Sequence, residues 1–139
     1  MVGRVRACEG KEQEPPVGMG ATRNLRNRTV SERPWGHFTT YVTNESDVTV
    51  KVIVINPNQR LSMQYHSERT ERWICLQGRA VAEIKGRRHI LRPTKEVTVP
   101  VGAKHRLGAG PEGAMILEIA EGRFSEDDIV RLEDDYRRP

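Results

Sequence analysis

Gln64, His66, Glu71 and His105 are the residues of this chain whose types and spacing could do chemistry. They stand in two segments, Gln64-Tyr-His66-Ser-Glu-Arg69-Thr-Glu71-Arg-Trp73 and Pro100-Val-Gly102-Ala-Lys104-His105-Arg106. One residue separates Gln64 from His66, so on a strand their side chains leave the same face. An amide, two imidazoles and a carboxylate make a mixed nitrogen and oxygen donor set. Such a set suits a borderline divalent cation, whereas an all-thiolate set would mark structural zinc. Zinc, manganese, cobalt, iron and nickel all accept donors of this kind.

A small β-barrel is the kind of element that could bring the four side chains together. Residues 37–43 and 48–55 read as strands, rich in β-branched side chains, with Asn44-Glu-Ser-Asp47 as the turn between them. Asn56-Pro57-Asn58 ends the second. Strands are expected again at 61–66, 73–77, 80–85 and 89–91, with turn signals at Gly78 and Gly86. Residues 97–99, 105–107 and 114–120 complete the set. Many short strands without a helical period between them argue an all-β sandwich or barrel. The end of the chain is different. Ser125-Glu-Asp-Asp128 offers an N-cap and acids in a first turn ahead of Ile129-Val130 and Leu132, so one short helix or turn is expected there, docked on the barrel.

Residues 1–30 carry Gly, Pro, Glu and Arg without hydrophobic periodicity and read as a disordered leader, leaving 31–139 as one domain. Gly18-Met-Gly20-Ala-Thr22-Arg23 has a faint likeness to a phosphate loop. No strand precedes it and no Lys-Ser/Thr pair follows, so it reads as flexible linker. At 139 residues the chain can bury a genuine core. Its 36% hydrophobic content and mean hydropathy of -0.65 fit a folded domain with a polar tail. No apolar run is long enough to span a bilayer, and the N-terminus lacks the apolar stretch of a secretory signal, so a cytoplasmic protein is expected. Cys8 and Cys75 are too few and too differently placed for a disulfide framework. Lys+Arg 23 against Asp+Glu 19 gives a net charge of +4. With aromatics at only 5% and no basic stripe of stacking residues, nucleic acid is not the expected partner. A phosphorylated small molecule suits the basic balance equally well.

Five stretches carry a resemblance: Arg33-Pro-Trp-Gly36, Leu61-Ser-Met-Gln64-Tyr-His66, Arg69-Thr-Glu71-Arg-Trp73, Pro100-Val-Gly102-Ala-Lys-His105-Arg106-Leu107, and residues 126–136. In this order they resemble the cupin domain of type II mannose-6-phosphate isomerases, which in many relatives is the C-terminal part of an enzyme that is also a mannose-1-phosphate guanylyltransferase. The resemblance covers about residues 31–138. It implies an all-β double-stranded β-helix, or jelly roll, with a divalent metal held by Gln64, His66, Glu71 and His105. It implies interconversion of mannose-6-phosphate and fructose-6-phosphate through a cis-enediol. The alternative is a cupin that binds a sugar phosphate or nucleotide sugar without catalysis, or one acting on a different sugar. Relatives read Glu-His-Trp where this chain reads Glu71-Arg72-Trp73. On a strand Arg72 leaves the face opposite to Glu71, so the metal set need not suffer. No nucleotidyltransferase domain precedes the motifs, so GDP-mannose synthesis by this chain alone is not expected.

An aldose–ketose isomerase also needs cations for the phosphate and a base to shuttle a proton. Arg69, Lys51, Lys104 and Arg106 are the phosphate candidates, with Arg69, Lys51 and Lys104 also the candidates for a part in turnover. Lys51 is notable because it interrupts a β-branched strand, where it either faces a polar cavity or snorkels from an edge. Trp73 shares the face of Glu71 and is expected in the cavity wall or the core, where it could meet substrate. The base is unassigned, since each inward Glu or His identified is already a metal candidate. A homodimer is expected from the edge strands that an open jelly roll must protect.

Overall fold

The computed structural model describes residues 28–139. The leader expected over residues 1–30 therefore lies almost wholly outside the described residues, as do the Gly18 segment and Cys8. The first strand, β1 (Thr29–Arg33), begins inside that span. Then follow β2 (Gly36–Glu45), β3 (Val48–Ile55), β4 (Met63–Tyr65), β5 (Arg69–Ile84), β6 (Arg87–Leu91), β7 (Glu96–Val99), β8 (His105–Gly122) and β9 (Val130–Glu133). Among the described residues no helix is long and apolar enough to cross a membrane.

The sheet runs β1-β2-β3-β8-β4-β9, with β5 paired to β6, β7 and β8. Two long strands organise it. The first half of β5 lies between β7 and the C-terminal half of β8, and its second half between β6 and the N-terminal half of β8. Sequence reasoning placed a turn at Gly78. Instead β5 runs through it with a break of register, opposite a bulge in β8. Gly78 (φ 76°) and Gly113 (φ 75°) both sit in the left-handed region, and a Cβ on Gly78 would stand 2.2 Å from Gly113 O. Only glycine permits that corner, and through it both strands change partners.

The C-terminal helix is a correction. Ser125 does cap a turn, its Oγ accepting from Asp127 N at 3.2 Å, but the turn is 3-10 and covers only Glu126–Asp128. Val130 to Glu133 then pair with β4 as strand β9. Ile129-Val130 and Leu132 have strand alternation rather than helical spacing, and an exposed edge was open to receive them.

Along three adjacent strands the inward residues change character at one level. On β3 they run Ile55, Ile53, Lys51, Thr49, and on β8 Ala114, Ile116, Glu118, Ala120. On β5 they run Cys75, Trp73, Glu71, Arg69. Register aligns them in rows across β8: Ile116 lies between Ile53 and Cys75, Glu118 between Lys51 and Trp73, and Ala120 between Thr49 and Glu71. Below that level the inside is an apolar core with Trp35, Ile55 and Leu107. Above it, charged side chains are buried on the inner face, which requires that they answer one another.

Candidate metal centre

Glu71 projects inward from β5, His105 from the start of β8, and His66 from the end of β4. Each is at most 2% exposed. Their donor atoms lie within 4.8 Å of one another. His66 Nε2 is 3.1 Å from Glu71 Oε1 and 3.1 Å from His105 Nε2, and His105 Nε2 is 3.8 Å from Glu71 Oε2. The other ring nitrogens are occupied elsewhere: His105 Nδ1 is 2.8 Å from Ala103 O, and His66 Nδ1 is 3.3 Å from Asp128 O. A proton on each Nδ1, donated to those carbonyls, leaves both Nε2 lone pairs facing inward beside a carboxylate. That donor set fits a divalent cation, with the backbone carbonyls fixing the ring orientation.

Electrostatics agrees with that donor set. Burial alone would raise Glu71, but the protonated form of His66, donating from Nε2, with His105 and Arg69 beyond, holds it at about 2, so it stays a carboxylate; a cation bound in the site would replace that proton on Nε2. Burial lowers His105 and favours its neutral form, the form that binds metal. Gln64 has its Cα opposite His105 and lines the cavity next to this group, its amide oxygen accepting from Ser62 Oγ at 2.9 Å.

Arg69 is 3% exposed and ties the group to the chain's end. Its Nε donates to Glu71 Oε1 at 2.9 Å and one terminal nitrogen to Ser125 O at 3.3 Å, while the other lies 3.2 Å from His66 Nε2. Phe124 covers it, with the ring centroid 4.3 Å from Cζ. Lys51 lies 4.4 Å from the centroid of Phe38 and 3.7 Å from that of Phe124. Burial lowers the pKa of its ammonium, against the pull of Glu118 and Glu126.

These groups surround a cavity of about 60 Å³, walled by Glu71, Arg69, Lys51, Gln64 and Glu118 and closed by Phe124, Glu126 and Ile129. Residues 124–131 thus form a strap over the mouth. Asn44 holds Phe124 by both its backbone groups, at 2.7 and 3.0 Å. Asp128 accepts from the backbone N–H groups of Ser67 and Glu68 at 2.9 to 3.1 Å.

Three candidates lie apart from the cavity. Lys104 is exposed. Arg106 is buried but spent on the sheet, donating to Leu61 O and Glu133 O at 3.1 Å each. Trp73 is a core residue, 2% exposed, standing edge-on to His105 at 5.4 Å between ring centroids. Conversely, Glu118 was missed. It is 6% exposed, lines the cavity, and is pushed up to about 8 by burial and by the Glu71 carboxylate beside it. The signal was present: inward alternation along Ala114, Ile116 and Ala120 makes Glu118 the charged exception.

Strand order, buried His–Glu–His group and cavity together define a cupin. Two solved structures with the same architecture are the capsular polysaccharide assembling protein CapF from Staphylococcus aureus and Pac13 from Streptomyces, described as a nucleoside dehydratase. The CapF match has a TM-score of 0.67 at 17% identity, covering 76% of this chain and 34% of that one. The Pac13 match has a TM-score of 0.68 at 12% identity, covering 79% and 88%. At such identities the likeness shows the fold alone. Sequence is more specific: the chain belongs to the mannose-6-phosphate isomerase C-terminal family, whose model matches residues 21–134. Among curated relatives, the mannose-1-phosphate guanylyltransferases of Sinorhizobium fredii and Salmonella montevideo are 38% and 39% identical over 76% of the chain. The alginate biosynthesis protein AlgA of Pseudomonas aeruginosa is 36% identical over the same share. The chain spans only 21% to 23% of the length of these proteins.

Proposed function

We propose that the chain is a metal-dependent isomerase interconverting mannose-6-phosphate and fructose-6-phosphate. The observation that carries this reading is a buried donor group, one member of which, Glu71, lines a cavity that also holds the Glu118 carboxyl, in contact with Glu71, and the Lys51 ammonium. His66, Glu71 and His105 would hold the cation, with Gln64 adjacent. A bound divalent ion supplies Lewis acidity to the carbonyl and hydroxyl oxygens of the sugar. The chain's own residues do the rest. Isomerisation moves a proton between C1 and C2 through a cis-enediol, and Glu118 is the group placed to move it. It is inward, screened from water, and on the strand next to Glu71. Lys51, its cross-strand partner, faces the same space and offsets charge as the proton moves. Arg69 keeps Glu71 and His66 in place, a positioning role. Arg72, the departure from the family pattern, is exposed on the outer face, away from all of these groups.

The test is solvent exchange. Incubated with mannose-6-phosphate in D2O, the protein is expected to incorporate deuterium at C2, followed by NMR, and to produce fructose-6-phosphate. Binding of the sugar phosphate with neither exchange nor product would point to the non-catalytic alternative.

A further inference from the structure

Beyond the donor group, the cavity collects cations that the proton transfer does not use. Arg33 comes from β1 and Arg131 from β9, the two ends of the sheet path, and both line the cavity. Arg138 lines it too but is answered by Asp134, which accepts from its Nε at 2.8 Å. Among the described residues neither Arg33 nor Arg131 pairs with an Asp or Glu side chain. Arg33 donates to Glu32 O at 2.8 Å, and Arg131 to an oxygen of Pro139, the last residue of the sequence, at 2.7 Å, so a ligand at Arg131 competes with that terminal carboxylate. The Nε of Arg131 is buried and has no acceptor, a cost that an arriving oxygen would remove.

The aromatic wall explains how these charges stay open to a ligand. Arg33 Cζ lies 5.0 Å and Lys51 Nζ 4.4 Å from the centroid of Phe38. A ring attracts a cation through its face without consuming N–H donors as a carboxylate would. The strap brings one anion to the group, Glu126, whose Oε1 is 3.8 Å from Lys51 Nζ. Glu126 is half exposed, so it can leave without uncovering the core.

We infer that Arg33 and Arg131 form an oxyanion subsite for the phosphoryl group of the ligand, with Lys51 joining it once the Glu126 carboxylate is displaced. Guanidinium groups suit the role because each presents paired N–H donors to two phosphoryl oxygens. The subsite selects phosphorylated over free sugars, and Glu126 is an internal competitor for it. This deepens the sugar-phosphate reading and rests on it for the identity of the ligand, not for anion binding itself.

Calorimetric titration of the full chain with inorganic phosphate tests it. The expected result is saturable binding, a dissociation constant at least tenfold higher in the Arg33→Met/Arg131→Met double variant, and one several-fold lower in Glu126→Gln. If the double variant fails to fold by circular dichroism, Arg131→Met and Glu126→Gln make the same comparison singly. No binding by the wild type, unchanged affinity in a folded arginine variant, or unchanged or weaker binding by Glu126→Gln overturns the subsite. Arginine-dependent phosphate binding by a protein that never isomerises mannose-6-phosphate would refute the isomerase reading alone. Isomerisation alongside arginine-independent phosphate binding would refute the subsite alone.

Discussion

Lys51 and Glu118 face each other on β3 and β8, and Glu118 sits diagonally from Glu71 on the neighbouring strand. Two carboxylates so placed cannot both be charged cheaply, which separates their work: Glu71 stays ionised for the cation and Glu118 is left to carry a proton. Glu118→Gln keeps shape and hydrogen-bonding capacity but cannot cycle a proton. It is expected to lower kcat by about 10² to 10³-fold, with KM for mannose-6-phosphate little changed, in steady-state assays. An unaltered kcat would remove Glu118 from the reaction. His66, Glu71 and His105 could be picked out from residue type and motif position, because a strand pair, a tight turn and a Pro-x-Gly step restrict where such side chains point. Glu118 was legible too, through the inward parity of its strand, but it stands in no motif that draws attention to it. Arg106 misled for the opposite reason. Its motif position is beside His105, yet its guanidinium turns to the Leu61 and Glu133 carbonyls, a choice that depends on where β9 lies.

At the scale of elements, the chain's end carries most of what sequence reasoning could not see. Local signals for strands 48–55 and 97–99 were clear because β-branched residues and bounding turns speak for themselves. Strand β9 has no such signal. It forms because β4 offers an open edge, and the segment that looked like a helix start is held instead by long-range partners, the Asp128 carboxylate by the Ser67 and Glu68 backbone and Ser125 O by Arg69. The same segment continues into Asp134. Burial alone would raise that carboxyl, but the side-chain and backbone donors of Arg138 and the backbone of Tyr136 hold it at about 2, below the ordinary 3.8. A carboxyl depressed on folding contributes stability that is fully present above its unfolded value and is lost as pH falls through its folded one. Between pH 3.8 and about 2, the melting temperature of the wild type is therefore expected to fall more steeply than that of Asp134→Asn, as followed by circular dichroism. Parallel slopes would mean the tail contributes nothing. A cavity of about 60 Å³ is also well below the several hundred typical of ligand pockets, so a sugar phosphate enters only if the strap shifts. Asn44→Ala, which removes both contacts to Phe124, is expected to speed amide exchange across residues 124–131 in exchange mass spectrometry while leaving β3 and β8 protected.

For the whole molecule, the outer face of β3, β5 and β8 is largely apolar, with the exposed Arg72 beside Ile119 its charged exception. Val50 lies opposite Ile119, Val52 opposite Leu117, which also faces Ile74, and Val54 opposite Met115. All are half-buried in the single chain, with Leu76 45% exposed beside them. The homodimer expected from sequence has here a surface of the right chemistry, and pairing of two copies across it is our proposal for the assembly. Light scattering should give a dimer mass for the wild type and a monomer for Leu117→Glu. A monomeric wild type at micromolar concentration would set the proposal aside.

The central claim is that a cation on His66, Glu71 and His105 makes this cavity an isomerase. Its most direct measurement is production of fructose-6-phosphate from mannose-6-phosphate in a coupled assay, before chelation, after it, and after adding back zinc, manganese, cobalt, iron or nickel one at a time. The prediction is activity that disappears on chelation, returns with at least one ion, and is absent from the His66→Ala/His105→Ala variant under every condition. No activity with any of the ions, or activity surviving in that double variant, would contradict it.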